Sequence, residues 1–214
     1  MKKKSKIIIP ILTGLIIVGA ASGYILQQRD HFYKSVLELY DIGMIPEAAG
    51  LIEGKEHKIL SAKDGCELVL SIYAKLKRYQ KLEDFSRQCI DLGRGLDTAY
   101  DGLSHSLTSM GRTQEAIETL EKLPGDSPRL RHALAHLHTL NKNYPTARKL
   151  FLSLANESTW SMWIEPILKN KDLVSEESFL KELKVIINSK PTFPPKIISR
   201  IELIQKELIN RQDS

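Results

Sequence analysis

Apolar residues recur at spacings of three and four from about residue 29 onward, which is the pattern of amphipathic helices. The pattern is clearest in the middle of the chain, where it predicts one helix over about 97–110 and a second over about 114–123. Gly111-Arg112-Thr113 is the turn between them. No segment alternates apolar and polar residues for long, so strands are not expected. The sequence therefore predicts an all-α protein.

These helices follow a period of 34 residues. Three sets of positions share it, namely Phe32, Cys66 and Tyr100; Leu39, Tyr73 and Leu107; and Ala48, Leu82 and Ala116. The pattern continues at shorter spacing, because Ala147 comes 31 residues after Ala116 and Phe179 comes 32 after Ala147. Gly43 and Gly111 are two periods apart, each where a first helix would end in a left-handed cap. Since a single helix pair cannot bury its apolar face alone, the period predicts helical hairpins stacked into a solenoid.

This spacing resembles that of the tetratricopeptide repeat family. In the third unit the matching positions are Tyr100, Leu103, Ser104, Leu107, Ala116, Leu120, Leu123 and Pro128. The second unit departs most, because Leu82 stands where the family has Ala and Ser86 stands where it has an aromatic residue. The resemblance covers residues 29–190 and implies a solenoid of about four to five repeats. Residues 191–214 are expected to form a capping helix.

Residues 7–26 form an uncharged, largely apolar run of 20 residues, which as a helix is about 30 Å long and can cross a bilayer. Four lysines lie in the tail before it, residues 1–6, so the positive-inside rule predicts a cytoplasmic N-terminus. The alternative is a cleaved signal peptide, since small residues at 19–23 offer a cleavage site. The chain after the run is then anchored on the periplasmic side of the inner membrane, or secreted.

The composition and the motifs that are missing reduce the range of possible functions. The net charge of +5 owes much to the four N-terminal lysines, so a nucleic-acid partner is not expected. Two cysteines exclude a disulfide-dense scaffold and a four-thiolate zinc site. The sequence contains no nucleophile elbow, P-loop, zinc-protease motif or CxxC pair, and we expect no enzyme activity, cofactor or bound metal.

The two cysteines occupy suggestive positions within the second repeat. Cys66 lies at the start of its first helix and Cys89 at the end of its second helix. In an antiparallel pair those ends face each other, so the two side chains can approach within bridging range. An oxidising compartment permits a disulfide there, and two buried free thiols are the alternative.

The resemblance also implies a concave groove lined by the first helices, where peptides commonly bind in this family. Its predicted lining residues are Asp64, Glu67, Ser71, Asp101, His105, Thr108, Arg129, His132 and His136. His132 and His136 are four residues apart, which is a metal-ligand spacing, but the catalytic Glu of zinc proteases is absent between them. A polar groove wall is therefore their expected role, with a metal site as the alternative.

The anchor, the repeat and the absence of catalytic motifs favour a non-enzymatic adaptor or scaffold of the cell envelope. It would bind segments of envelope proteins in the groove while tethered to the membrane. One alternative is a structural subunit of a secretion, pilus or motility complex that uses the convex face and the C-terminal helix. Another is the handling of metal or haem through His132 and His136.

Overall fold

The computed structural model describes most of the chain beyond the predicted anchor. The described residues are 27–60, 62–122, 127–156, 161–190 and 193–212, apart from the side chains of 161–163 and 212. Within these ranges the regular structure is entirely helical, as predicted, and there is no strand. The predicted tail and membrane segment lie outside the described residues. None of the helices in the described ranges combines the length and the apolar character needed to cross a bilayer.

Eleven helices follow one another along the described part of the chain. They are α1, described over 27–41, α2 (Ile45–Ile52), α3 (Gly65–Lys75), α4 (Tyr79–Asp91), α5 (Leu96–Ser109), α6 (Thr113–Glu121), α7 (Pro128–Leu140), α8 (Tyr144–Asn156), α9 (Ser161–Lys169), α10 (Glu177–Asn188) and α11 (Pro195–Gln212). A short 3-10 helix, Glu56–Lys58, lies between α2 and α3. The predicted helices over 97–110 and 114–123 correspond to α5 and α6, and the expected capping helix corresponds to α11.

The same backbone turn recurs between α1 and α2, α3 and α4, α5 and α6, and α7 and α8. Its middle residue has a positive φ each time, at Gly43 (83°), Lys77 (54°), Gly111 (81°) and Lys142 (58°). The amide N–H of the next residue then donates to the carbonyl five residues back, as from Met44 to Leu39 over 2.8 Å. This is a Schellman-type helix end. The predicted caps at Gly43 and Gly111 are confirmed. The same turn also occurs at Lys77 and Lys142, where lysine takes the place of glycine.

The chain divides into two compact units between Gly102 and Leu103, inside α5. In the first unit α2 packs on α3 and α3 packs on α4. The largest fully buried side chains of its core are Ile52, Ile59, Leu70, Ile72, Tyr73 and Leu82. Two glycines permit close backbone approach, because a Cβ on Gly65 would lie 2.0 Å from the Ile59 carbonyl oxygen and one on Gly102 would lie 2.9 Å from Ser86 Oγ.

In the second unit α7 packs on α6 and α8, α10 packs on α8, and α11 packs on α9 and α10. The largest fully buried side chains of its core are Phe151, Ile164, Leu180, Leu183 and Ile187. The Arg148 guanidinium of α8 donates to the Leu173 carbonyl at 2.9 Å and pairs with Glu176 at 2.6 Å. Lys190 Nζ donates to the Ala155 carbonyl at 3.1 Å, which caps the C-terminal end of α8. The Arg148 side chain thus fixes the connection that leads into α10, and the Lys190 side chain fixes the residues that follow α10.

Gly65 and Gly50, two of the helical glycines of the first unit, provide a matched test of this packing. Gly65→Ala is expected to lower the free energy of unfolding by more than about 2 kcal/mol, because its Cβ would overlap a backbone oxygen that cannot rotate away. Gly50→Ala, in α2, meets open space and should raise it by up to about 1 kcal/mol through helix propensity. Urea unfolding followed by circular dichroism measures both. Equal shifts in the two variants would contradict the close contact.

Candidate functional site

The predicted groove residues divide between the two units. Those in the first unit are Asp64, Glu67, Ser71 and Asp101, of which the two at the start of α3 are exposed and the other two are half-buried. The charges of Asp64 and Glu67, at the start of α3, act on the Tyr33 phenol of α1. Burial raises the pKa of the Tyr33 phenol, and the negative charges of Asp64, Asp41 and Glu67 raise it further. The Tyr33 phenol therefore lies near enough to Asp64 and Glu67 for their charges to act on it.

The remaining predicted residues lie in the second unit. They are His105, Arg129 and His136, which are exposed, and Thr108 and His132, which are half-buried. The Thr108 hydroxyl donates to the Ser104 carbonyl of its own helix at 2.7 Å. This bond is a local side-chain to backbone contact and does not point to a ligand.

His132 and His136 are packed against an aromatic ring. Their ring centroids lie 4.5 Å apart, and each lies 5.7 Å from the centroid of Phe151 on α8. Burial lowers the pKa of His132 to about 3, and a positive charge on His136 would add to the effect. His136 is exposed as a residue, but partial burial of its ring beside His132 and Phe151 lowers its pKa as well. Within the described residues, no three His, Cys, Asp or Glu side chains are grouped so that they could hold a metal ion. Because their pKa values are lowered, both imidazoles are uncharged at neutral pH.

Acidification is expected to destabilise the second unit through His132. The pKa of its imidazole is 6.5 when the ring is exposed to water and about 3 in the fold, so the unfolded chain binds more protons between these pH values. The free energy of unfolding then falls as the pH drops below about 6.5. His132→Gln should remove up to about one proton from the pH slope, measured by urea unfolding between pH 7 and 4.5. A slope identical to that of the wild type would contradict the burial of this imidazole.

Cys66 and Cys89 are joined by a disulfide in the first unit. Their Cα atoms lie 6.1 Å apart, and both residues are buried. Cys66 lies in the first turn of α3, and Cys89 lies in the last turn of α4. The bridge therefore joins the open end of this helix pair, opposite the turn at Lys77.

Removing the disulfide tests its contribution to stability. Cys66→Ala combined with Cys89→Ala is expected to lower the free energy of unfolding by about 3 kcal/mol, because the bridge spans a sequence separation of 23 residues. Dithiothreitol should lower the Tm of the wild type to about the Tm of the double variant. It should leave the Tm of the double variant unchanged. Thiol titration before and after reduction supplies the control. A wild-type Tm that did not respond once both thiols were titratable would contradict a stabilising bridge.

A cleft of about 480 Å³ lies between α8 and α10 in the second unit. Apolar side chains in its lining are Leu152, Phe179 and Ile186, and charged ones are Arg148 and Lys149 from one side and Glu176 and Glu182 from the other. Arg148 is occupied by its contacts to the α9–α10 connection, whereas Lys149 and Glu182 are exposed. Sequence reasoning missed this cleft. The available signal was that Lys149 and Glu182 stand 33 residues apart, close to one period.

Comparison with known proteins assigns no family, since no family model matches the chain and no curated protein matches it. The tetratricopeptide resemblance therefore stays a prediction that rests on the spacing of residues. Function must be inferred from the surfaces that the described residues form.

Proposed function

We propose that the protein is a non-enzymatic adaptor that binds segments of partner proteins through a tetratricopeptide-like solenoid of about four to five repeats. Residues 7–26 anchor it as a single span in the cytoplasmic membrane. The helical part faces the extracytoplasmic space, where its partners are other proteins of the cell envelope. The tether keeps a weak binding surface at high local concentration beside those partners.

The cleft between α8 and α10 is the observation that carries this proposal. Protein segments bind by burying apolar side chains in a recess while charged and polar groups at its rim fix their orientation. The cleft supplies both, with Phe179 among its apolar lining and Lys149 and Glu182 exposed at its edges. The ties made by Arg148 and Lys190 hold its walls in place, which limits the ordering cost of binding.

The repeat architecture is supported by burial at the periodic positions. Ala48, Leu82, Ala116 and Ala147 are fully buried, and Phe179 is 3% exposed. Small or apolar residues at this spacing allow consecutive helices to approach one another closely. The left-handed turns at Gly43, Lys77, Gly111 and Lys142 recur at close to the same spacing, and the same turn also ends α4 at Gly93.

The disulfide supports an extracytoplasmic location. Disulfides persist in oxidising compartments and are rare in the cytosol. The bridge between Cys66 and Cys89 therefore agrees with the orientation expected from the lysines before residues 7–26. Both observations favour a helical part outside the cytoplasm.

Site-specific photo-cross-linking in cells of the native host tests the proposal. A benzoylphenylalanine probe replaces Lys149 or Glu182 in the cleft, Glu67 or His105 on the first helices, or the exposed Glu118 of α6 as a control. We expect adducts of discrete mass at the two cleft positions and none at the control. Because residues 7–26 are proposed to span the membrane, the adducts should remain in the membrane fraction after an alkaline carbonate wash.

The pattern of adducts separates the competing interpretations. Adducts confined to Glu67 and His105 would place binding on the first helices, as the sequence predicted. A partner that stays with the chain in stoichiometric amounts through size-exclusion chromatography would favour the structural-subunit alternative. The absence of adducts at every position, with all variants folded, would contradict an adaptor.

A further inference from the structure

A second recess in the second unit lies between α9 and α11. It consists of two adjoining pockets of about 110 and 210 Å³, and both are lined by Leu168, Lys169 and Arg200. We call this continuous surface the α9–α11 recess. Its other apolar lining residues are Val174, Ile197, Ile204 and Leu208. Three of these are buried core residues and Leu208 is half-buried, so the apolar surface lies back between the two helices.

The rim of this recess is strongly basic. Its charged residues are the bases Lys169, Lys171, Lys196, Arg200 and Arg211 and the acids Glu165 and Glu207. Glu165 lies 3.8 Å from Lys169, so these two charges offset each other, and four bases remain beside one acid. By contrast, the α8–α10 cleft has two basic and two acidic lining residues. The recess therefore attracts anions in a way that the cleft does not.

Helix stability does not account for all of these cations. Lys169 lies in the last turn of α9, where a positive charge complements the helix dipole. Lys196 and Arg200 lie within the first two turns of α11, and the first turn of that helix has no acidic residue. The Lys196 cation, in the first turn, opposes the dipole and weakens the helix slightly, whereas Arg200 lies beyond the reach of this effect. An external anion gives them a role that the fold does not.

We propose that the α9–α11 recess docks an acidic segment of a partner protein. An apolar side chain of the segment enters each pocket, and an Asp or Glu between them meets Arg200, which lines both. A guanidinium can bind a carboxylate through two parallel hydrogen bonds, which fixes the register of the segment. This inference goes beyond the adaptor function because it names a separate surface and the charge of the partner.

An anionic bilayer is the competing partner for a basic surface. Bilayer binding uses apolar side chains that protrude into the headgroup region. Here the apolar atoms are recessed between two helices and the cations surround them. Pockets of this size accept single side chains, as in the recognition of peptides by grooves. The geometry thus favours a protein segment over a lipid surface.

The test is a selection of random displayed 12-residue peptides on the full chain in a mild detergent. We expect enrichment of peptides that combine Asp or Glu with large apolar residues. The strongest binder is then synthesised, and its affinity is measured by fluorescence anisotropy. Arg200→Glu and Lys196→Glu should each weaken binding about tenfold or more, since each replaces an attraction by a repulsion. The matched control is Lys206→Glu, the same charge change on an exposed residue of α11 outside both pockets, and it should weaken binding less than about twofold.

Two results would overturn the proposal. One is a selection without acidic enrichment, or selected peptides that bind the Arg200→Glu and Lys196→Glu variants as tightly as the wild type, with circular dichroism showing that both are folded. The other is binding to detergent micelles doped with phosphatidylglycerol that depends on Arg200 when peptide binding does not. The outcome is read on variants of this recess alone. It is therefore independent of whether probes at Lys149 and Glu182 capture a partner.

Discussion

In the described part of the chain, four helix pairs have a residue in the left-handed conformation in the turn between their two helices. The direction of the second helix of each pair depends on this turn. The turn lets the following N–H reach the carbonyl five residues back, so the first helix ends and the chain reverses at once. Three of those carbonyls belong to the buried residues Tyr73, Leu107 and His138. Without the turn each would lack a partner away from water, which costs about 1–3 kcal/mol. The turn therefore stabilises the core as well as the connection.

This constraint shows which part of the fold the sequence could predict. Glycine at 43 and 111 reveals the turn because it adopts a positive φ without steric cost. Lys77 and Lys142 form the same turn, but a lysine does not indicate it in the sequence. A lysine with positive φ is disfavoured by about 1–2 kcal/mol, and only the surrounding packing holds it in place. Ser86 looked like a departure from the repeat pattern. Its reason appears only in three dimensions, because Gly102 brings α5 so close that an aromatic ring would not fit.

The candidate sites were less predictable because each depends on which side chains meet when helices pack, and two of them form between helices that are not consecutive in sequence. The spacing of His132 and His136 was visible, but their packing on Phe151 of α8 was not. The α8–α10 cleft and the α9–α11 recess each need two helices separated by a third segment. A sequence records which charges a helix has, whereas tertiary packing decides which of them share a recess. The disulfide differs, since both of its ends belong to one hairpin whose antiparallel geometry the period already implies.

The two binding surfaces that we propose in the second unit should select partners by different physics. At the α8–α10 cleft, Arg148 already pairs with Glu176 and donates to backbone carbonyls, so little net charge remains to attract a ligand. Affinity there must come from apolar burial, which added salt does not screen. At the α9–α11 recess, exposed cations outnumber acids, and the attraction acts over roughly a Debye length of 8–10 Å before contact. Binding at the α9–α11 recess should then weaken as the salt concentration rises, while binding at the α8–α10 cleft should not. The two affinities would therefore respond differently to ionic strength.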